Sequence, residues 1–156
     1  MKLSTAQIGK AGEVLVQYRL LLLGIESSPM TTDTGVDLVV YAPSREEALT
    51  IQVKTNFQPK PGGGKGKKVL SWSIADSVPA QLIALVDLST ESVWLLRRHE
   101  YFEIAQQNSS GRSQLYVYTD PTVKSKKVGP VSYLYEFERY KIANRVHELF
   151  GVDIRS

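Results

Sequence analysis

The chain contains no cysteine, so it can hold neither a disulfide framework nor a thiolate metal centre. Histidine is almost as scarce. His99 and His147 are the only two, and no His-x-x-x-His, Gly-x-Ser-x-Gly or His-Asn-His arrangement surrounds either. Both read as structural or surface residues, and zinc-peptidase and serine-hydrolase chemistry lack their side chains. Long apolar runs are missing as well. The strongest cluster near the amino end, Leu20 to Leu23, is far too short to span a bilayer. The polar start, which begins a helix and not a signal peptide, predicts no membrane partner. Absence of cysteine agrees with a reducing, cytoplasmic setting. From Thr55 to Lys68 no acid occurs, among four lysines, four glycines and two prolines.

What is present suits one ordinary domain. A length of 156 residues allows a single core over 1–156, with no internal repeat and no long linker. A net charge of +3 is compatible with a nucleic-acid partner without establishing one. Ser4 and Gln7 form a capping-box pattern, predicting a helix from there to about Leu23 with Gly24 as its stop. Ile8, Ala11, Leu15, Tyr18 and Leu22 follow the helical period and are expected to be its buried face. Gly9 and Gly12 weaken that helix by roughly 1 kcal/mol each, which makes sense where the sheet or a DNA backbone approaches closely.

The most informative stretch is Gly35 to Thr55. Val36, Leu38, Val39, Val40 and Tyr41 suit a buried strand, and Ala42 to Ala48 is turn-like and charged. Leu49, Ile51 and Val53 alternate with Thr50, Gln52 and Lys54, the period of a strand with one apolar face. A hairpin folded symmetrically about Arg45 sets Asp37 near Val53 and beside Gln52 and Lys54, subject to register. Carboxylate and carbonyl oxygens suit a hard divalent cation, and a neighbouring lysine can orient or activate a water. Each residue has an ordinary explanation when read alone. Glu13 is then a solvated helix glutamate, Gln52 and Lys54 are the wet face of a strand, and the lysine-rich loop is merely solubilising. Asp37 is the least comfortable of them, an acid in a strand of Val and Leu.

Taken in order, Gly12-Glu13, Gly35-Val36-Asp37 and Gln52-Val53-Lys54 resemble the PD-(D/E)XK nuclease superfamily, the restriction-endonuclease-like fold. The likeness covers roughly the first half of the chain. Val36 stands where the superfamily's proline would be, and Gln52 where an acid is usual. The resemblance implies an α/β fold with a mixed sheet flanked by helices and a Mg²⁺- or Mn²⁺-dependent DNA endonuclease. Its catalytic residues are Glu13, Asp37, Gln52 and Lys54. Asp37, Gln52, the Val53 carbonyl and Glu13 hold metal, and Lys54 positions or activates water. Lys65, Lys67 and Lys68 are expected to grip the DNA backbone. Such small enzymes are expected to act as a homodimer or higher oligomer. The alternative is a nuclease-like DNA-binding or assembly module without activity, which Gln52 favours.

Further along, Val69 to Ile74 reads as a third strand of the same sheet. Leu82 to Leu88 is a buried strand with Asp87 at its turn, and Val93 to Leu96 returns from it. A helix follows from His99 to Gln107, then a short strand from Leu115 to Tyr118. Ser132 to Phe137 leads into a last helix that runs through about Phe150, with Tyr140, Ala143, Val146, Leu149 and Phe150 inward and Gly151 ending it.

Overall fold

The first helix starts where its cap requires. The computed structural model describes residues 2–32, 34–62, 66–124 and 133–153. In it the Ser4 hydroxyl accepts from the Gln7 N–H at 3.2 Å, and Gln7 Oε1 accepts from the Ser4 N–H at 2.8 Å. These are the reciprocal bonds of a capping box. Helix α1 spans Thr5–Leu22. Its buried residues are Gly12, Val16 and Leu20, not the predicted stripe. Ile8, Ala11 and Leu15 are half-buried, while Tyr18 and Leu22 are exposed. The helix carries two apolar stripes, and Gly12 decides which one turns inward. A Cβ at Gly12 would lie 1.8 Å from Thr55 Oγ1, whereas one at Gly9 would meet nothing within 4 Å. Only the Gly12 side lets the helix backbone settle onto the sheet.

A paired substitution follows from that contact. Gly12→Ala is expected to destabilise the fold by about 1–3 kcal/mol through overpacking. Gly9→Ala should instead stabilise it by about 1 kcal/mol, from helix propensity alone. Urea denaturation of the two variants checks both signs.

The strands form two sheets. The first has the order β1 (Glu26–Pro29), β2 (Leu38–Tyr41), β3 (Leu49–Asn56), β6 (Leu82–Asp87) and β7 (Ser92–Arg97). It is mixed, as expected: β3 and β6 run parallel and every other neighbouring pair runs antiparallel. The second sheet has the order β4 (Lys60–Pro61), β5 (Lys68–Ala75), β9 (Arg112–Tyr118) and β8 (Gln107–Ser109). The Val69–Ile74 run therefore does not extend the first sheet; it pairs antiparallel with β9. Sequence alone favoured the near neighbour, while the apolar face of β5 is satisfied by crossing over the first sheet. Leu70, Trp72, Ile74, Leu115 and Val117 cluster with Ile83, Leu85, Trp94 and Leu96. On the other side of the first sheet, Val16 and Leu20 of α1 cluster with Ile51, Val53, Ala84 and Val86, joined by Val146, Leu149 and Phe150. All six residues of β6 are buried, as befits a strand covered on both faces.

Helix α2 spans Arg98–Ile104. Tyr101 ties it to the second sheet: its hydroxyl lies 3.0 Å from the carbonyls of Trp72 and Ser113, and burial pushes its pKa far up. The last helix starts later than expected, after a separate short helical segment. A 3-10 helix covers Leu134–Tyr140, Lys141 adopts an extended ψ of 136°, and α3 covers Ile142–Phe150. Tyr140 and Phe137 belong to the first piece; Phe137 stacks on Trp72 and meets Trp94 edge-on. Two apolar surfaces at different angles need a break that one straight helix cannot supply. Gly151 closes α3 with φ +69°, as expected. Asp87 is the predicted turn residue: its carboxylate accepts from Ser89 N–H and from the Ser89 and Thr90 hydroxyls.

Candidate active site

The candidate site is built on the β2–β3 hairpin. The ladder sets Leu38 against Ile51 and Val40 against Leu49. Its continuation places Asp37 against Gln52, one residue short of the Val53 predicted from a symmetric hairpin. The carboxylate reaches Val53 all the same. Asp37 donates its N–H to the Ile51 carbonyl at 2.8 Å, and its Oδ2 accepts from the Val53 N–H at 2.6 Å. Asp37 therefore brackets Gln52 from both sides. Gly35 turns the chain into this position with φ +80°, a value glycine adopts without strain. A Cβ there would clash with Pro79 at 2.9 Å and sit 4.0 Å from Gln52 Nε2.

Gln52 is buried, at 7% exposure, and its Oε1 has no hydrogen-bond partner. Leaving a buried acceptor unpaired costs about 1–3 kcal/mol, so an acceptor kept this way beside a carboxylate is a place for a cation or a donor. Thr55 Oγ1, three residues along the same strand, is likewise buried and unpartnered. Lys54 is half-buried. It shares the face of β3 that bears Gln52 and Asn56, since alternate residues of a strand point the same way.

Glu13 comes from the other layer. Gly12, its neighbour, abuts Thr55 on the face of β3 that carries Ile51 and Val53. The Glu13 carboxylate pairs with Lys10 at 2.7 Å and is 22% exposed. The structure thus brings Asp37, Gln52 and Val53 together and sets Lys54 on the Gln52 face, but it leaves Glu13 on α1, which packs against the Ile51 and Val53 face, with its carboxylate on Lys10. Among the described residues no group of three or more His, Asp or Glu side chains forms a metal cluster. A cation here would rest on few charges and on neutral oxygens.

Of the predicted backbone-gripping lysines, Lys67 and Lys68 are exposed, and Lys65 lies outside the described residues. Lys67 lines a groove of about 510 Å³ with Asn56, Lys60, Gln107, Gln114 and Tyr116. In an adjoining pocket that shares Lys67, Tyr116 and Tyr118, Asp120 is held below the usual carboxylate range, chiefly by the Thr122 hydroxyl and N–H that it accepts from and to a smaller extent by Lys67. Sequence reading missed this groove. Its only trace is the polar alternation of Ser71-x-Ser73 and Gln114-x-Tyr116-x-Tyr118.

Together these features define a protein with a mixed five-stranded sheet whose central hairpin holds an acid, an amide and a lysine in close order. The fold is similar to the solved structure of a bacterial homing endonuclease, I-Ssp6803I. The TM-score is 0.61 at 15% sequence identity, over 95% of this chain and 92% of that one. No protein-family model matches the chain, and no curated protein matches it in sequence. No helix among the described residues is long and apolar enough to cross a membrane.

Proposed function

We propose that this protein is a metal-dependent DNA endonuclease of the PD-(D/E)XK type, acting through the β2–β3 hairpin. The observation that carries this reading is the buried, unpartnered Gln52 oxygen between the two backbone groups that Asp37 holds. Its chemistry fits Mg²⁺, which binds proteins through one or two carboxylates and keeps several waters. Asp37, Gln52 Oε1 and the Val53 carbonyl would hold the ion, with Glu13 steadying its water shell or a second ion. When bound, such an ion screens phosphate charge and lowers the pKa of a coordinated water. The chain supplies the rest. Lys54 orients the attacking water through its ammonium donors and balances charge on the reacting phosphate. Lys67, Lys68 and, by its sequence position, Lys65 hold the backbone without regard to base sequence. The similarity to a bacterial homing endonuclease in fold supports DNA as the substrate.

The test is supercoiled plasmid with Mg²⁺ or Mn²⁺. Nicking that needs the ion supports the enzyme. Gln52 in place of an acid also favours a second reading, a nuclease-like module that binds DNA and cuts nothing; salt-sensitive binding without nicking at any metal concentration selects it.

Cutting both strands calls for two sites related by a twofold axis. We assign the outer stripe of α1 to the contact between copies. Val14, Tyr18, Leu21 and Leu22 recur at helical spacing and are each more than half exposed. Light scattering is expected to give at least twice the 17.4 kDa chain mass, and the double substitution Leu21→Glu, Leu22→Glu should return it to one.

A further inference from the structure

The outer face of the second sheet forms a groove whose central side chains have no part in the cleavage chemistry proposed above. Its inner face is apolar, with Leu70, Trp72, Ile74, Leu115 and Val117 in the core. The outer one alternates with it and is polar but uncharged in its middle. Gln107 lies opposite Gln114, and Gln114 lies opposite Ser73, so the three make one row across three strands. Tyr116 stands opposite Ser71 in the next row. These side chains are held in place. Gln114 Nε2 donates to Ser71 Oγ at 2.7 Å, and Arg112 Nε donates to Ser73 Oγ at 2.9 Å. Gln106 clamps the backbone of Tyr116 through both its amide oxygen and its amide nitrogen. Charge is kept to the margins, with Lys60 and Lys67 lining the groove and Arg112 beyond it at the far end of the β5–β9 ladder.

Neutral donors and acceptors in the centre with cations at the rim is the complement of a DNA groove. Base edges present uncharged donors and acceptors there, and phosphates border them. The groove also touches the site. Asn56 lines it, two residues past Lys54 on the same face of β3, and donates Nδ2 to the Ser71 carbonyl at 2.8 Å. A duplex cut at Lys54 would run on across the second sheet.

We propose that this face reads base edges in the major groove of duplex DNA beside the cleaved bond, with Gln107 and Gln114 as the readers and Lys60 and Lys67 on flanking phosphates. The proposal rests on the nuclease reading above, and names what that site selects. A β-ribbon fits the major groove, and a glutamine amide there pairs bidentately with adenine.

The test is selection from a pool of duplexes carrying a randomised stretch of about one helical turn, roughly 10 base pairs. It uses the full chain with Asp37→Asn so that the DNA survives. Enrichment of a consensus is expected. Gln107→Ala and Gln114→Ala should each flatten the preference at one or two neighbouring positions by about tenfold, with the salt dependence unchanged. Gln107→Arg should move the preference at its position toward guanine, a gain that no misfolded variant produces. Lys60→Ala and Lys67→Ala should weaken binding to every duplex alike and reduce the salt slope by about 1 each. The inference is overturned by a pool that emerges unenriched, by glutamine variants that weaken all sequences equally, or by equal binding of an A-form RNA duplex. Plasmid nicking is scored separately on the wild-type chain. Enrichment without nicking refutes the enzyme and keeps the reader; nicking without enrichment does the reverse.

Discussion

Asp37→Asn is expected to lower metal-dependent nicking by about 10³-fold or more while the protein stays folded. The asparagine amide oxygen can still accept the Val53 N–H that Asp37 Oδ2 accepts at 2.6 Å, so the strap between β2 and β3 survives. What disappears is the negative charge, and with it a ligand worth several kcal/mol of charge stabilisation, or about three decades of rate. Lys54→Ala should cost about 10²–10⁴-fold, the range of a positioned proton-handling group. Gln52→Glu separates metal binding from scaffold strain. A second carboxylate should tighten Mg²⁺ binding, yet an unpaired acid at a site only 7% exposed is unfavourable without the ion. The melting temperature of that variant should therefore fall in chelator and rise with added Mg²⁺ by more than in the wild type. Nicking by Asp37→Asn at the wild-type rate, or melting of Gln52→Glu that ignores Mg²⁺, removes the hairpin from the chemistry.

The same hairpin shows what was legible in the chain. Alternation of Leu49, Ile51 and Val53 with polar residues fixed one strand and its faces, and the charged turn fixed its partner. Register was off by one, because the loop is not symmetric about Arg45 and only the ladder reveals that. Helix α1 was legible at its ends, where Ser4, Gln7 and Gly24 are local signals, and misread on its face. Two apolar stripes satisfy the helical period equally; the choice is made by Gly12 meeting Thr55, a contact across more than forty residues of sequence. The second sheet was hidden for a related reason. Pairing β5 with β9 joins residues such as Trp72 and Leu115 across an intervening hairpin and helix, and nothing local in either strand names the other. The strands β4 and β8, of two and three residues, fall below any periodic signal and exist because a longer neighbour offers them an edge. Gln107 and Gln114 went unnoticed with them.

Arg145 is the residue that sequence reading passed over and whose removal should cost the fold most. It sits in α3 among positions read as apolar, and only 8% of its side chain is exposed. Its Nη2 meets Glu100 Oε2 at 2.5 Å, its Nη1 meets Glu148 Oε2 at 2.7 Å, and its Nε donates to the Leu95 carbonyl at 3.2 Å. The guanidinium also lies 5.6 Å from the centre of the Tyr140 ring. Glu100 is itself committed, since its Oε2 caps the N–H of Arg97 at the start of α2. Arg145 thus joins α3, α2 and β7 through one planar group, which a lysine cannot imitate. Arg145→Ala strands a mostly buried carboxylate and a backbone carbonyl, and is expected to destabilise by about 3–5 kcal/mol. At this chain length that lowers the melting temperature by roughly 10 °C. Arg145→Met with Glu100→Gln removes both charges together and should recover much of the loss, because the penalty comes from the partner left behind. Acid gives an independent readout. Glu148 is held below its ordinary value of 4.5, first by the bond from Arg97 and then by the charges of Arg145 and Arg97. A carboxylate whose folded pKa is depressed stabilises fully above its unfolded value and loses that contribution as pH falls through the folded one. Wild-type stability should therefore drop below pH 4.5, and Arg97→Ala should shallow that drop. If single and double variants melt together, or the acid limb is unchanged by Arg97→Ala, the network is surface decoration and α3 is held by Val146, Leu149 and Phe150 alone.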